Sequence, residues 1–138
     1  MKTKLAILIL TLFLLFSCAT TKSTLDDKLK KQLIGTWSGS EEDNQKQGLT
    51  KYWIQYRNKN GTFTYLFTVI KNCDVESHIE KGKWWVNEGV FYEKYDVDGK
   101  TDSYLVKLLD DNNIKFKAKE LSLEFDNKEY EFTETRQE

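Results

Sequence analysis

Apolar and polar residues alternate with a period of two from Thr36 to Arg136, and this pattern limits the fold more than any other feature of the chain. Residues 114–119 read Ile-Lys-Phe-Lys-Ala-Lys, and residues 130–133 read Tyr-Glu-Phe-Thr. Successive side chains of a β-strand point to opposite sides of the sheet, so this alternation is typical of strands with one buried and one solvated face. The segment therefore predicts half-buried antiparallel strands rather than helices.

Short clusters of Asn, Asp and Gly divide this segment into strands. They occur at 58–61, 80–82, 87–89, 96–99, 110–113 and 126–128, and their residue types favour tight turns. The strands are predicted at 36–42, 49–58, 62–71, 74–80, 83–87, 90–96, 102–109, 113–119 and 129–136, with 121–125 as a bend or part of a long connection.

These strands are expected to close on themselves. The sequence has no proline, which suits strands that are hydrogen-bonded on both sides, because proline would remove a backbone donor. A chain of 138 residues supports one domain, and sequential hairpins form a meander whose closure removes the exposed edges. The predicted fold is all-β, a small antiparallel up-and-down β-barrel of about eight strands with a short N-terminal helix. A two-sheet sandwich is the alternative, since the sequence does not show whether the first and last strands pair.

A short helix is predicted directly before the strands. Thr24 begins it with a capping-box pattern, because an acidic residue follows three positions later. Leu25, Leu29 and Leu33 recur every four residues and form one apolar stripe, and Gly35 ends the helix. We expect this stripe to cover one end of the barrel or sandwich.

The first seventeen residues are typical of a targeting signal. Two lysines precede a run of twelve residues, Leu5 to Phe16, that is apolar except for one threonine, whereas a membrane-spanning helix needs about 20 apolar residues. The sequence Leu-Phe-Ser-Cys at 15–18 resembles the lipobox of bacterial lipoproteins. This resemblance implies cleavage before Cys18 and lipid attachment to its thiol as a diacylglyceryl group. A plain secretory signal with an incidental Cys18 is the alternative.

The sequence thus divides into a signal peptide at 1–17, a small polar tether at 18–23 and a barrel domain at 24–138. Acyl chains on Cys18 would hold the protein on a membrane, since each buried methylene contributes about 0.8 kcal/mol. Ala19 resembles the outer-membrane sorting residue of bacterial lipoproteins, so the expected location is the bacterial cell envelope, on the outer membrane. No acidic run follows Ala19, which favours the periplasmic face, and surface exposure is the alternative. Cleavage would leave 19 basic and 22 acidic side chains, a net charge of −3, which disfavours nucleic acid as a partner.

The start of the first predicted strand carries a second resemblance. Leu33-Ile34-Gly35-Thr36-Trp37 resembles the lipocalin opening, in which a short helix runs into Gly-x-Trp, and the chain resembles small bacterial lipocalin-like lipoproteins. The resemblance implies that Arg136, near the end of the last strand, packs over Trp37 and closes one end of the barrel. The alternative is that Trp37 is an ordinary core residue and Arg136 belongs to a frayed tail.

Aromatic residues are dense between Trp37 and Tyr104, which favours a ligand-binding lumen or an outer surface that contacts a partner. Alternation places Tyr52, Ile54 and Tyr56 on one face of their strand and Trp53, Gln55 and Arg57 on the other. Arg57 is one of only two arginines and could anchor a ligand carboxylate or phosphate. The candidate ligand-binding residues are Tyr52, Trp53, Tyr56, Arg57, Tyr65, Phe67, Trp84, Tyr92 and Tyr104.

Two functions follow from these patterns. The first is a membrane-anchored module that binds a small hydrophobic or amphipathic molecule in the barrel. The second is a structural or interaction lipoprotein with a filled core that contacts another envelope protein, which exposure of Trp53 and Trp85 on the outer wall would favour.

No enzyme activity, cofactor, metal or catalytic residue is predicted. Cys73 and His78 lie five positions apart, which on one strand places them on opposite faces, so they do not suit a nucleophile and its base. Cys73 is expected to be a small, partly buried apolar side chain. Residues 96–102 weakly resemble a calcium loop, but Lys107 stands where that loop needs a bidentate glutamate.

Overall fold

The computed structural model describes residues 17–42, 48–122 and 130–138, and within these ranges it describes side chains from Leu25 onward. Helix α1 spans Ser17–Leu33. The strands that follow are β1 Gly35–Glu42, β2 Leu49–Arg57, β3 Thr62–Lys71, β4 Asp74–Asn87, β5 Val90–Tyr95, β6 Thr101–Leu108, β7 Asn113–Glu120 and β8 Glu131–Gln137. In the described part of the chain, no helix combines the length and the apolar character needed to cross a bilayer.

The eight strands form a closed barrel in which each strand pairs antiparallel with the next. The barrel closes where β1 pairs with β8, in the register Thr36 with Gln137, Trp37 with Arg136 and Ser38 with Thr135. The predicted antiparallel barrel is therefore confirmed, and the open sandwich is not formed, because the first and last strands are hydrogen-bonded neighbours. This closed meander is consistent with a lipocalin-like fold.

The predicted turn at 80–82 is wrong. Residues 74–80 and 83–87 belong to one continuous strand, β4, so the described residues form eight strands where nine segments were predicted. Gly82 pairs with Phe63 on β3 and with Tyr95 on β5. A β-carbon at this position would meet the Lys94 carbonyl oxygen and lie 2.7 Å from the Phe63 ring. Gly82 is thus a close-contact position inside a strand, and its sequence signal resembles that of a turn.

The helix is longer than predicted. It spans Ser17–Leu33, so Thr24 lies inside it instead of at its start, and the predicted tether at 18–23 is helical. These tether residues include neither glycine nor proline, so their local preferences oppose a helix only weakly. The predicted signal peptide, apart from Ser17, and the predicted turn at 126–128 lie outside the described residues.

The apolar core fills the end of the barrel at which α1 meets β1. We call this the closed end, and the opposite end, with the connections at 72–73 and 96–100, the open end. The buried core cluster consists of Leu33, Trp37, Phe63, Trp84, Phe91, Tyr104, Ile114 and Phe116. Most of these residues lie near the strand termini at the closed end, because β1, β3, β5 and β7 begin there and β2, β4, β6 and β8 end there.

Trp37 and Arg136 seal the closed end together with the end of α1. The Trp37 indole nitrogen donates a hydrogen bond of 3.0 Å to the Leu33 carbonyl oxygen. The Arg136 guanidinium lies 4.2 Å from the centre of the Trp37 ring and donates to the carbonyl oxygens of Ile34, at 3.0 Å, and Gln32, at 2.6 Å. The arginine thus stacks on the indole and also satisfies carbonyl groups that the helix end leaves free.

A second contact joins α1 to the turn between β4 and β5. The two carboxylate oxygens of Asp26 accept hydrogen bonds of 2.8 Å from the backbone N–H groups of Glu88 and Gly89. Lys30 places its ammonium 5.8 Å from the centre of the Trp84 ring. The helix is therefore fastened across the closed end at both its middle and its last turn.

Candidate functional site

A cavity of about 400 Å³ occupies the open half of the barrel. It reaches the surface at the open end, where its lining includes the exposed residue Val97 and the half-exposed side chain of His78. Its walls are aromatic and consist mainly of Trp53, Tyr65, Phe67, Tyr95, Tyr104 and Phe132. The cavity therefore combines an apolar wall with access to solvent.

The alternation of each strand delivers these side chains to the interior. On β2, residues 53, 55 and 57 are buried while residues 52, 54 and 56 are exposed. Gly39 on β1 pairs with Trp53, and a β-carbon at Gly39 would collide with the Trp53 ring and approach the Thr133 carbonyl oxygen to 2.9 Å. The missing side chain of Gly39 thus makes the room that the Trp53 indole occupies.

A buried polar cluster forms the floor of the cavity. Glu134 accepts a hydrogen bond of 3.1 Å from the Trp53 indole nitrogen and one of 2.7 Å from the Arg57 guanidinium. Gln55 accepts a hydrogen bond from Arg57 and donates one to Glu93. This chain of contacts joins β2, β5 and β8 through side chains that are almost fully buried.

Arg57 lies beneath the cavity rather than on its surface. Its guanidinium carbon is 4.9 Å from the centre of the Phe91 ring and 5.2 Å from that of the Phe116 ring. Its Nε and Nη1 atoms have no hydrogen-bond partner among the described residues, and Nε is 4.0 Å from the nearest Glu93 oxygen. Contacts with two aromatic faces partly replace the missing hydrogen bonds, so Arg57 is a structural counter-charge between the core and the floor.

Asp102 completes the acidic lining. One of its carboxylate oxygens accepts a hydrogen bond of 2.7 Å from the backbone N–H of Ser122, and the other lies 3.5 Å from the Tyr104 hydroxyl. The Tyr95 hydroxyl is at the same distance from Glu93. Three buried carboxylates, those of Glu93, Asp102 and Glu134, therefore share the interior with one buried guanidinium.

This excess of acidic groups changes the titration of the interior. Burial raises the pKa of Glu93 from 4.5 to about 7, and the charges of Glu134 and Asp102 add to this rise. The neighbouring Arg57 and the hydrogen bond from Gln55 lower the pKa and so oppose the rise. Burial, with the charge of Glu93 next, also raises the pKa of the Tyr65 and Tyr104 hydroxyls, which therefore stay protonated hydrogen-bond donors near neutral pH.

Two basic side chains line the rim of the cavity, and each has an acidic partner. The Lys51 ammonium lies 2.8 Å from a Glu41 oxygen, and His78 Nε2 lies 3.3 Å from a Glu80 oxygen. The rim thus carries both signs of charge, in contrast to the acidic floor.

The structure brings together four of the nine candidate ligand-binding residues. Trp53, Tyr65, Phe67 and Tyr104 line the cavity, and Arg57 lies beneath them. Trp84 is buried at the closed end, where its indole nitrogen donates to the carbonyl oxygens of Asn58, at 3.2 Å, and Thr62, at 3.1 Å.

The other three candidates lie on the outer wall. Tyr52 and Tyr56 are about half exposed, and Tyr92 stacks on Trp85 with the ring centres 5.2 Å apart. These three tyrosines are directed away from the cavity, because they occupy the opposite phase of the alternation from its lining residues.

Sequence reasoning missed six residues of the cavity lining, most of them polar. Gln55, Glu93, Tyr95, Asp102, Phe132 and Glu134 line the cavity and were not among the candidates. A signal for two of them exists in the sequence, because Glu93 lies in phase with Phe91 and Tyr95, and Glu134 lies in phase with Phe132. An acidic residue on the apolar side of a strand is the pattern that would have marked the site.

The remaining sequence features do not join this site. Cys73 lies in the turn between β3 and β4 and is exposed, so the expectation of partial burial is wrong. Its backbone has a φ of 73°, which belongs to a tight turn instead of a strand. Among the residues with described side chains, no three His, Cys, Asp or Glu groups converge as metal ligands, and this includes the loop at 96–102.

Comparisons with known proteins add no assignment. No family model matches this sequence, and no curated protein shows a significant match to it.

Proposed function

We propose that this protein is an envelope-anchored lipoprotein whose lipocalin-like barrel binds a small amphipathic molecule in the open-end cavity. The observation that carries the proposal is the cavity itself, whose volume of about 400 Å³ falls within the range of small-molecule sites. Its aromatic walls suit the apolar part of such a molecule, and its acidic floor supplies the few polar groups that orient a ligand.

Native mass spectrometry tests ligand binding. The mature chain, residues 18–138 with Cys18→Ala to prevent acylation, is exported behind a secretory signal peptide and purified gently from the osmotic-shock fluid. We expect a retained small mass whose loss changes the fluorescence of Trp53, which lines the cavity. A clean mass together with no fluorescence response across a panel of lipids and metabolites would contradict this function.

The anchoring part of the proposal rests on the lipobox-like sequence at 15–18. Radiolabelled palmitate supplied to a bacterium that expresses the full chain should enter the wild-type protein and leave the Cys18→Ala variant unlabelled. The wild-type protein should follow the outer-membrane fraction, while residues 18–138 with Cys18→Ala, exported behind a secretory signal peptide, should be released by osmotic shock. Equal labelling or equal fractionation of the two chains would show that Cys18 carries no lipid.

A contact with another envelope protein is a second candidate, favoured by the outer wall. Ile54, Leu66 and Ile79 pair side by side across β2, β3 and β4 and are 49%, 41% and 65% exposed. Trp53 faces the interior, whereas Trp85 is on the outside. An apolar row of this kind suits a protein contact. Crosslinking in the envelope from a photoreactive residue at 66, but not from one at 107 on β6, would support it.

A further inference from the structure

We propose that the ligand of the open-end cavity is a small amine, with a flat apolar body and one protonated nitrogen that binds at Glu93. This inference rests on the proposed ligand-binding function and specifies its ligand class. It follows from the distribution of charge around the cavity, from the aromatic faces of its walls and from the proton that the floor can exchange.

The charge balance of the cavity favours a cation. Glu93, Asp102 and Glu134 line it, while Arg57, the one buried cation among the residues with described side chains, lies beneath it and hydrogen-bonds to Glu134 and Gln55. The basic residues at the rim, Lys51 and His78, already lie against Glu41 and Glu80. The floor therefore presents carboxylate oxygens to the cavity from a site where water only partly compensates charge, and an ammonium group supplies the missing positive charge.

The walls suit the same kind of ligand. The Trp53 and Phe132 rings meet edge to face with their centres 5.5 Å apart, and Tyr104 meets Phe132 in the same way at 5.5 Å. Tyr65 and Phe67 stack along β3 with their centres 5.7 Å apart. Electron-rich ring faces attract a cation within about 6 Å, and the same faces pack against a flat apolar body.

An anionic ligand would meet the opposite conditions. A carboxylate or phosphate in the cavity would be a further negative charge beside three buried carboxylates. Like charges in a site of reduced dielectric repel each other strongly, and Arg57 is screened from the cavity by its partners Gln55 and Glu134. The structure thus reverses the expectation that Arg57 would recruit an anion.

Amine binding at Glu93 should also be detectable as a release of protons. The Glu93 pKa of about 7 means that the free protein holds a proton there at slightly acidic pH, and an adjacent ammonium group would favour the ionised carboxylate. The groups that face this carboxyl are Arg57 on β2, Tyr65 on β3, Tyr95 on β5, Asp102 and Tyr104 on β6, and Glu134 on β8. On β4, His78 and Glu80 line the cavity nearer its rim, as does Tyr130 ahead of β8. Binding of an amine at pH 6 should therefore release roughly one proton.

Matched ligands test the charge requirement. Tryptamine, tryptophol and indole-3-propionate share an indole body and a two-carbon linker and differ in carrying a cation, a neutral hydroxyl or an anion. Octylamine, octanol and octanoate repeat the comparison with a linear body. Calorimetry at pH 7.5 on residues 18–138 with Cys18→Ala should show that each amine binds at least about tenfold more tightly than its alcohol, and that the acids bind more weakly still.

The outcomes separate the two proposals. If the alcohols bind as tightly as the amines, or the acids bind best, the amine assignment is overturned while the cavity remains a binding site. If no member of either series binds and native mass spectrometry finds no retained mass, both proposals fail. If a retained mass is found and it carries no basic nitrogen, only the amine assignment fails.

A series of variants tests whether the ammonium group of the ligand binds at Glu93. Glu93→Gln keeps the shape of the side chain and an oxygen that can accept the hydrogen bond from Gln55. It should weaken tryptamine binding about tenfold or more, abolish the proton release and leave tryptophol binding unchanged. Glu131→Gln is the matched control, because Glu131 lies on the outer face of β8 in an ion pair with Lys115.

Asp102→Asn provides a second test of the acidic floor, since its amide oxygen can still accept the hydrogen bond from Ser122. Circular dichroism first establishes that each variant is folded. Unchanged tryptamine affinity in folded Glu93→Gln, or an equal loss in Glu131→Gln, would overturn the proposal.

Discussion

The two ends of this barrel are built from the same strands but differ in how completely they are packed and in how well their polar groups are paired. At the closed end, Trp37, Phe63 and Trp84 are almost fully buried, and the polar atoms of Trp37, Trp84 and Arg136 find backbone partners. Among the described side chains of the open end, buried carboxylates outnumber buried cations and surround a cavity. The closed end contributes stability, whereas the buried carboxylates of the open end carry an energetic cost, which the proposed ligand-binding function would explain.

Removing the central side chain of the closed end should have the largest effect. Trp37 is fully buried, so Trp37→Ala should lower the free energy of unfolding by about 4 kcal/mol through lost burial and a new void. Urea denaturation measures the loss. The matched control is Trp85→Ala on the outer wall, where the side chain is 36% exposed and the loss should be far smaller. Equal losses would mean that the closed end is not the stabilising region.

At the open end, removing a buried charge should raise the free energy of unfolding, whereas removing Trp37 at the closed end should lower it. Because Glu93 has a pKa of about 7 when folded and about 4.5 when unfolded, the folded state binds the extra proton between these values. The free energy of unfolding should therefore fall as the pH rises from 4.5 to 7, by an amount on the order of 2 to 3 kcal/mol.

Glu93→Gln removes this titration. The variant should be more stable than wild type at pH 8, by up to that amount, and similar to it at pH 4.5, as measured by denaturation at both values. Glu131→Gln, on the outer wall, should leave the pH profile unchanged. A wild-type stability that rises from pH 5 to pH 7 and a Glu93→Gln variant that is destabilised at pH 8 would together show that this end is not under electrostatic strain.

A smaller effect should follow from exchanging the cation at the closed end. Arg136→Lys keeps the positive charge but loses the planar stack on Trp37 and one of the two hydrogen bonds to the carbonyl oxygens of Gln32 and Ile34. The expected loss is about 1 to 2 kcal/mol, seen as a lower Tm. An unchanged Tm would show that Arg136 acts by charge alone.

The smallest expected effect concerns the fastening of α1. Asp26→Ala removes the acceptor of two backbone N–H groups in the turn between β4 and β5 and should cost about 1 kcal/mol, with faster hydrogen exchange at Glu88 and Gly89. Asp27→Ala, at the exposed neighbouring position, is the control and should change neither quantity. Protection at Glu88 and Gly89 that survives Asp26→Ala would mean that the turn is ordered without the helix.

Much of the barrel could be predicted because alternation and turn residues are local signals. Seven of the nine predicted strands correspond to single strands of the barrel, with ends shifted by at most two residues. The error at 80–82 arose because glycine serves both turns and close contacts, and only the long-range approach of Phe63 and Lys94 reveals which role Gly82 has. A three-dimensional contact of this kind leaves no local signal.

The candidate site was harder to predict for a physical reason. On β2 the alternation correctly separates Tyr52 and Tyr56 from Trp53, Gln55 and Arg57, but hydrophobicity favours the wrong choice of interior face. The structure buries the polar pair Gln55 and Arg57 and exposes Ile54, because their partners Glu93 and Glu134 arrive from distant strands. These buried polar side chains are stable only when all of their partners are present, so the sequence of a single strand does not predict them.

The fastening of α1 by Asp26 and Arg136 also gives the molecule a direction. The helix meets the barrel at the end opposite the cavity mouth, and Cys18 lies in its first turn, at the far end of a rod about 25 Å long. With the proposed lipid on Cys18, the attachment point and the mouth belong to opposite poles of the protein. The ligand would then enter the cavity from the aqueous compartment. The bilayer would hold the protein in place but would not supply the ligand.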